Sequence, residues 1–241
     1  MCYNSSKTIL DTIISVNNQS YDNIEHVFVD GLSTDDTTEI ISLNSQRRNL
    51  IISEKDSGLY DAINKGISNA NGDLIGLLHS DDIFSSSEII SYLVRKIQHA
   101  SLDGVYGDLQ YVDKKNPNKI IRFWKSCEFK PSLLKKGWMP AHPTLILKKE
   151  VYRTHGGFNK SLKIAADYDF MLRIFKDCNL KFGYLPQVVT KMRVGGASNR
   201  SLKNIFKKTK EDYRAIYLNN IGGFLTLMLK NASKIKQFFI Q

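Results

Sequence analysis

The segment 74–82 reads LIGLLHSDD, an apolar run that ends in the adjacent carboxylates Asp81 and Asp82. An apolar run of this length that ends in a polar turn predicts a buried strand. Adjacent carboxylates repel each other unless a cation or hydrogen-bond donors offset their charge. Mg²⁺ and Mn²⁺ bind one or two carboxylates together with phosphate oxygens. The segment therefore predicts a strand that ends in a metal-diphosphate site; the alternative is a solvated turn that caps the following helix.

The chain upstream of this segment alternates between helical and strand patterns. Residues 24–29 read as a strand that ends at Asp30, and residues 8–16 and 59–70 have helical periodicity. Such alternation predicts an α/β fold with a parallel sheet, and ligands bind beyond the carboxyl ends of its strands. We therefore expect Asp30 to lie near the acidic pair.

The second half of the chain has a less regular pattern. Residues 104–112 and 119–124 flank the turn sequence KKNPN at 114–118, which predicts a hairpin and thus a mixed or antiparallel part of the sheet. Residues 144–147 read as a further strand. Residues 167–176 read as an amphipathic helix. Its predicted apolar face consists of Phe170, Met171, Ile174 and Phe175.

Four other side chains are candidates for chemistry, each with an ordinary structural alternative. Asp30 at a strand end can accept a hydrogen bond from a base N–H. Lys65 can reach a phosphate or can be solvated. Asp167 is either a helix N-cap or a general base. His142 is either a metal or phosphate contact or, more often for a lone histidine, a structural residue.

Composition limits the class of protein. The 241 residues carry a net charge of +10. The segment from residue 200 onward contains nine Lys or Arg residues and two acidic residues. Because much of the excess charge is C-terminal, the rest of the chain does not read as a nucleic-acid binder. Three widely spaced cysteines suit a reducing compartment. The sequence shows neither a signal peptide pattern nor an apolar run long enough to span a bilayer, which predicts a cytoplasmic protein.

Taken together, these motifs resemble the family-2 inverting glycosyltransferases with the GT-A fold, in particular bacterial enzymes that build O-antigen, capsule and other surface polysaccharides. The resemblance covers most of residues 1–199. The motifs that carry it are CYNS at 2–5, VDGLSTD at 29–35, GLYDAINKG at 58–66, LLHSDD at 77–82, ADYD at 166–169 and GGASN at 195–199.

The resemblance implies roles for individual residues. Nucleotide-binding roles fall on Tyr3, Asp30, Lys65 and Asp81. Asp82 would ligate Mg²⁺ or Mn²⁺, and Asp167 would be the catalytic base, with Asp169 as the fallback. Members of the family often have Glu-Asp where this chain has Ala166 and Asp167, so one carboxylate is absent but the assigned base is present.

The resemblance also implies the reaction and the domain layout. The donor would be a nucleotide sugar, in particular a UDP-sugar, and the acceptor a hydroxyl of a glycan or a polyprenyl-diphosphate-linked sugar, with inversion at the anomeric carbon. Retaining chemistry on a similar fold remains an alternative. The transferase domain would span 1–199, with a nucleotide half at 1–110 and an acceptor half at 111–199, followed by a basic helical extension at 200–241.

One feature departs from the family pattern. Family members have about half a dozen apolar residues before the Tyr-Asn pair, which form a central strand, whereas this sequence starts Met1-Cys2-Tyr3. We therefore expect this first strand to be missing, which would leave two neighbouring strands without a partner. The accompanying hypothesis is that the native protein begins upstream of Met1.

The basic C-terminal segment has two interpretations. Basic amphipathic helices suit the anionic inner leaflet of the cytoplasmic membrane. Alternatively, the helices pack on the catalytic domain and leave their lysines in water. Two other classes of protein also remain, a catalytically inactive transferase-like scaffold and a basic, non-enzymatic protein that binds anionic lipid or nucleic acid.

Overall fold

The computed structural model describes the backbone of residues 1–195 and 202–236, and the side chains of residues 1–195 and 204–233. Apart from Gly195, the predicted GGASN motif lies outside the described residues. Throughout the described chain, helices and strands follow each other in the order of an α/β protein.

The elements begin and end as follows. The described helices are α1 Ile9–Asn17, α2 Thr37–Asn44, α3 Leu59–Asn69, α4 Ile89–His99, α5 Lys149–His155, α6 Ala166–Phe175, α7 Leu202–Leu218 and α8 Phe224–Lys236. The described strands are β1 Glu25–Asp30, β2 Arg48–Ser53, β3 Leu74–Gly76, β4 Ile83–Phe84, β5 Gly104–Val112, β6 Ile120–Trp124, β7 Ile146–Lys148 and β8 Phe182–Arg193. Short 3-10 helices occur at Pro131–Lys136 and His142–Thr144.

The strands form two sheets. Strands β1 and β2 pair in parallel, and a larger sheet has the order β3-β7-β5-β8-β4, with β6 paired to β5. In the larger sheet β5 and β8 are parallel, whereas the β3–β7, β5–β6, β5–β7 and β4–β8 pairs are antiparallel. The predicted hairpin is therefore confirmed. The prediction of parallel pairing in the first half holds for β1 and β2 but is wrong for β3, which pairs antiparallel with β7.

A groove of about 1520 Å³ lies between β1 and β3, which belong to different sheets and do not pair with each other. It is bordered by Val27 and Val29 of β1 and by Ile75 of β3. Next to it, Cys2 forms a single parallel bridge with Asp30. The groove thus separates two strands in the way expected of neighbours that lack a strand between them.

The main core surrounds α6, whose predicted apolar face is fully buried. Ala215 and Ile216 of α7 and Leu227 of α8 belong to the same core. Burying each large apolar side chain stabilises the fold by roughly 1.5–3 kcal/mol. The C-terminal helices therefore pack on the second half of the chain, as one of their two interpretations predicts. The predicted domain boundary at 199 falls between β8 and α7.

Candidate active site

Asp82 is a buried carboxylate, with 0% of the residue exposed. Within residues 1–195 and 204–233, no group donates a hydrogen bond of normal geometry to either carboxylate oxygen. The backbone is fixed, because Thr12 Oγ1 donates to the Asp82 carbonyl at 2.8 Å and the Asp82 N–H donates to the His79 carbonyl at 3.1 Å. Burial, and then the charge of Asp81, raise the pKa of Asp82 well above its usual value. Such a buried, unpaired group is costly unless a cation joins it.

The acidic turn fits a divalent cation that is shared with a ligand. Among the described residues, no group of three or more His, Cys, Asp or Glu side chains is arranged to hold a metal alone. Mg²⁺ and Mn²⁺ in phosphate-binding sites need only one or two carboxylates, because phosphate oxygens and water complete the coordination. The unpartnered Asp82 carboxylate beside Asp81 meets that requirement.

Arg193, the last residue of β8, holds the acidic turn in place. Its guanidinium donates to the Asp81 carbonyl at 2.9 Å and forms an ion pair with Asp11 of α1. The side chain is buried, and its positive charge opposes the rise in the pKa of Asp82. No sequence motif indicates a role for Arg193, because this role depends on β8 lying next to β4.

The predicted nucleotide residue Asp30 is tied into its own turn. Its carboxylate is buried and accepts hydrogen bonds from the Ser33 N–H at 3.0 Å, from the Ser33 hydroxyl and from Ser53 Oγ at 2.8 Å. The turn includes Leu32 at φ +62°, a conformation that is rare for a non-glycine residue and is found near functional sites. A contact between Asp30 and a base stays a prediction.

The N-terminal loop joins the Asp30 turn to the acidic turn. Tyr3 lies beside Gly31 and is 63% exposed, so its ring is available for stacking. The Asn4 side chain accepts the Thr34 N–H at 2.9 Å, and Ser5 and Ser80 share a hydrogen bond of 2.8 Å between their hydroxyls. Three separate predicted motifs are thereby brought together.

Lys65 is occupied by acidic neighbours. Its ammonium lies 2.7 Å from Glu54 Oε1 and 3.7 Å from Asp61 Oδ2, and it donates to the Lys55 carbonyl at 2.9 Å. The hydrogen bond to Glu54 is the main reason that the pKa of Lys65 is raised. A phosphate would compete with these partners, so the predicted phosphate contact stays a prediction.

Asp167, the predicted base, lies in the first turn of α6 with 22% of its side chain exposed. It accepts hydrogen bonds from the Tyr60 hydroxyl at 3.3 Å and the Tyr168 N–H at 2.8 Å, and His142 Nδ1 lies 3.4 Å away. Burial acts to raise the pKa of Asp167, but the His142 hydrogen bond and charge and the charge of Lys230 together hold it well below the usual value. The carboxylate is therefore ionised at neutral pH and can accept a hydroxyl proton.

A histidine pair connects Asp167 with the acidic turn. His142 Nε2 and His79 Nε2 lie 3.1 Å apart, and His79 precedes Asp82 by three residues. Burial lowers the pKa of His79 to about 3, so its ring is neutral. Both ring nitrogens of His142 face a partner within the protein. The structural alternative for His142 therefore describes its contacts better than the metal alternative does.

The fallback base, Asp169, is held by other residues. Its carboxylate pairs with Arg173 Nε at 3.0 Å and accepts a hydrogen bond from Asn219 Nδ2 at 3.0 Å. The side chain is buried. These contacts assign Asp169 to the packing of α6 against α7 and leave Asp167 as the better candidate for the base.

Glu211 of α7 holds the start of α6, and nothing in the sequence pattern indicated this role. Its carboxylate accepts the backbone N–H groups of Lys163, Ile164 and Ala165 at 3.1, 2.8 and 3.0 Å. These residues directly precede α6, which begins at Ala166. Hydrogen bonds to a charged group contribute about 1.5–3 kcal/mol each. Glu211 therefore fixes the backbone that carries Asp167.

Glu211→Gln is expected to lower the catalytic rate about tenfold with little change in KM, because the neutral amide has one acceptor oxygen and cannot hold three N–H groups. The matched control is Glu150→Gln, which removes an exposed ion pair with Arg153. Steady-state kinetics and thermal unfolding of both variants check this. A Glu211→Gln enzyme with an unchanged rate would show that the contact has no role in positioning the base.

Sequence relatives identify the class of enzyme to which this fold and acidic turn belong, and that class is the glycosyltransferases. The PGL/p-HBAD biosynthesis glycosyltransferase of Mycobacterium bovis (strain BCG) is 30% identical over 199 residues, which cover 80% of this chain and 75% of the relative. An uncharacterized glycosyltransferase of Haemophilus influenzae is 29% identical over 242 residues, which cover 91% of this chain and 73% of the relative. The chain belongs to glycosyl transferase family 2, whose sequence profile matches residues 1–145.

Solved structures establish the fold class. TarS 1-349 of S. aureus in complex with UDP superposes with a TM-score of 0.69 at 18% identity, over 99% of this chain and 70% of that one. The mannosyltransferase PcManGT of Pyrobaculum calidifontis, in complex with GDP-Man and Mn²⁺, superposes with a TM-score of 0.64 at 16% identity, over 99% and 71%. This chain spans 63% of TarS 1-349 in complex with UDP-GlcNAc. The predicted GT-A fold and the family resemblance are confirmed.

The structure also bears on membrane insertion. In the part of the chain that is described, none of the helices combines the length and the apolar character that crossing a bilayer requires.

Proposed function

We propose that this glycosyltransferase moves a sugar from a UDP-sugar to a hydroxyl group of a glycan or a polyprenyl-diphosphate-linked acceptor, with inversion and with Mg²⁺ or Mn²⁺ as cofactor. The reaction is a step in the synthesis of a bacterial surface polysaccharide, such as an O-antigen, and takes place at the inner face of the cytoplasmic membrane.

The unpartnered Asp82 carboxylate is the observation that carries the proposal. Among the residues that the structure describes, none forms a hydrogen bond of normal geometry with either oxygen, and Asp81 stands next to Asp82 in the chain. Burying a carboxylate without a partner costs free energy of folding, and a turn with a purely structural role gains nothing from it. Asp82 would hold the cation, and the cation would neutralise charge on a nucleotide diphosphate, which is the leaving group of the proposed reaction.

The donor half of the site would be built from the N-terminal loops. Tyr3 has an exposed ring for stacking on the base, and Asp30 lies in the adjacent turn. Asp81 would contact the ribose or the metal. Lys65 would exchange its contact with Glu54 for a phosphate.

The acceptor half would use Asp167 as the general base. The ionised carboxylate takes the proton of the acceptor hydroxyl while the hydroxyl oxygen attacks the anomeric carbon. The bond from that carbon to the diphosphate oxygen breaks, and UDP leaves with the electron pair. A single displacement of this kind inverts the configuration at the anomeric carbon.

A panel of nucleotide sugars tests the proposal, with release of nucleoside diphosphate as the measurement in the presence of Mn²⁺, Mg²⁺ or EDTA. We expect release from at least one UDP-sugar with metal, and a loss of at least tenfold with EDTA. UDP binding without turnover of any donor would favour the inactive scaffold. Equal turnover with EDTA would contradict the metal site.

A further inference from the structure

Helix α8 presents an apolar face to solvent. Phe224, Leu225, Met228 and Leu229 follow the spacing i, i+1, i+4 and i+5 and therefore lie on one side of the helix. Phe224, Leu225 and Met228 are 66%, 69% and 55% exposed. The intervening residues Thr226 and Leu227 are buried against the protein. One side of α8 is therefore buried in the core, and a second, apolar side is exposed to water.

The described charged side chains of α7 differ in burial according to their sign. Within residues 204–233 the acidic side chains, Glu211 and Asp212, are buried. The exposed charged side chains of the same range are Lys207, Lys210 and Arg214. Since the carboxylates point inward and these cations point outward, the outer side of the helix pair is positive.

A separate element adds to this charge. The 3-10 helix Pro131–Lys136 packs against α8, and its Lys135 and Lys136 are exposed. The packing is close, because a side chain at Gly137 would meet the Lys230 backbone. Two exposed lysines from a second part of the chain therefore lie on an element that packs against α8.

We propose that this surface, made of the outer faces of α7 and α8 with Lys135 and Lys136, binds an anionic lipid bilayer in its interface. Interfacial helices bury apolar side chains about 5–10 Å into the boundary between headgroups and acyl chains, while basic residues meet anionic headgroups. A second copy of the chain would bring like charges together at the same surface. A nucleic acid would satisfy the cations but leave the apolar face in water.

The inner side of α8 faces the candidate base. Lys230 projects inward, forms an ion pair with Asp212 at 2.7 Å, and places its ammonium 3.7 Å from the ring centroid of Tyr168, the neighbour of Asp167. Asp167 and Lys230 also perturb each other electrostatically. The bilayer surface and the base therefore lie on opposite sides of one helix, whose diameter is about 10 Å.

Membrane binding would keep the enzyme at the surface that holds lipid-linked acceptors. This consequence rests on the proposed function, whereas vesicle binding does not.

Sedimentation of the full chain with vesicles tests the surface. We expect binding to vesicles of phosphatidylcholine with 30% phosphatidylglycerol, and at least tenfold weaker binding to phosphatidylcholine alone. The triple variant F224S/L225S/M228S should lose binding by at least tenfold, because it removes the inserted side chains. The triple variant K207Q/K210Q/R214Q should weaken binding by roughly fivefold for each charge removed. Leu43→Ser, at a 76% exposed apolar position of α2, is the matched control and should bind like the wild type.

Two outcomes would overturn the proposal: a wild-type chain that stays in the supernatant with anionic vesicles, or an F224S/L225S/M228S variant that sediments like the wild type. Binding of an RNA oligonucleotide in place of vesicles would also count against it. Hydrolysis of the UDP-sugar in water should be the same in all these variants. If the wild type hydrolysed no UDP-sugar, this result would instead contradict the proposed function.

Discussion

Asp167→Asn is expected to lower the rate of sugar transfer by about 10²–10⁴-fold, the usual contribution of a positioned general base. The amide has nearly the same shape but cannot take the proton of the acceptor hydroxyl. Because Asp167 lies on the acceptor side in the proposed geometry, the affinity for UDP should not change. Initial rates of transfer and equilibrium titration with UDP measure the two effects separately.

The chain offers a matched control for this substitution. Asp177 also pairs with a histidine, His155, at 3.0 Å, but lies outside the proposed site. Asp177→Asn should therefore leave transfer unchanged. His142→Gln tests positioning, because it removes the partner of Asp167 and leaves the carboxylate in place. If Asp167→Asn transferred sugar at a near-normal rate, the assignment of the base would be wrong.

Asp82→Asn is expected to reduce transfer by at least a hundredfold and to remove the effect of metal on UDP affinity. The asparagine keeps the size of the side chain but loses the charge that holds the cation. Unlike the base variant, this variant should be defective in donor binding as well as in the chemical step. Kinetics and UDP titration with and without Mn²⁺ distinguish the two patterns.

The same substitution should stabilise the protein in the absence of metal. The pKa of Asp82 is raised in the folded state, so the folded chain holds this proton more tightly than the unfolded chain does. Stability contributed by such a group is present below the unfolded pKa, about 3.9, and is lost as the pH rises through the folded pKa. At pH 8 with EDTA, Asp82→Asn should therefore melt above the wild type. A lower melting temperature would mean that the carboxylate has a stabilising partner.

Several helices and strands could be predicted from the local sequence pattern. Helical periodicity placed α1 and α3 to within a residue or two of their observed ends. The hairpin of β5 and β6 was indicated by KKNPN, a turn sequence between two strand patterns. The sequence pattern within each of these elements is enough to specify it, so the elements can be predicted without knowledge of tertiary contacts.

Strand β8 was not predicted, although it lies inside the larger sheet. It contains Pro186, and polar residues such as Gln187 and Lys191 interrupt its apolar pattern. The pairing of β8 with β5 is irregular on both sides of Asp108, so a bulge accommodates the proline. Because β8 was missed, the position of Arg193 beside the acidic turn could not be derived.

The acidic residues of the candidate site could be predicted from the sequence, but the side chains that contact them could not. Asp81, Asp82 and Asp167 were singled out by their positions at the ends of elements. The residues that set their environment come from distant parts of the chain: His142 from a 3-10 helix, Tyr60 from α3 and Glu211 from α7. Contacts between residues this far apart in sequence arise only when the elements pack.

Titration of the wild-type chain with UDP, with and without Mn²⁺, probes the shared metal-diphosphate site separately from the identity of the sugar and the acceptor. A metal-diphosphate site at Asp82 predicts that Mn²⁺ raises the affinity for UDP by at least tenfold in the wild type and leaves the affinity of Asp82→Asn unchanged. Equal affinity with and without Mn²⁺ in the wild type, or an equal gain in both proteins, would contradict it.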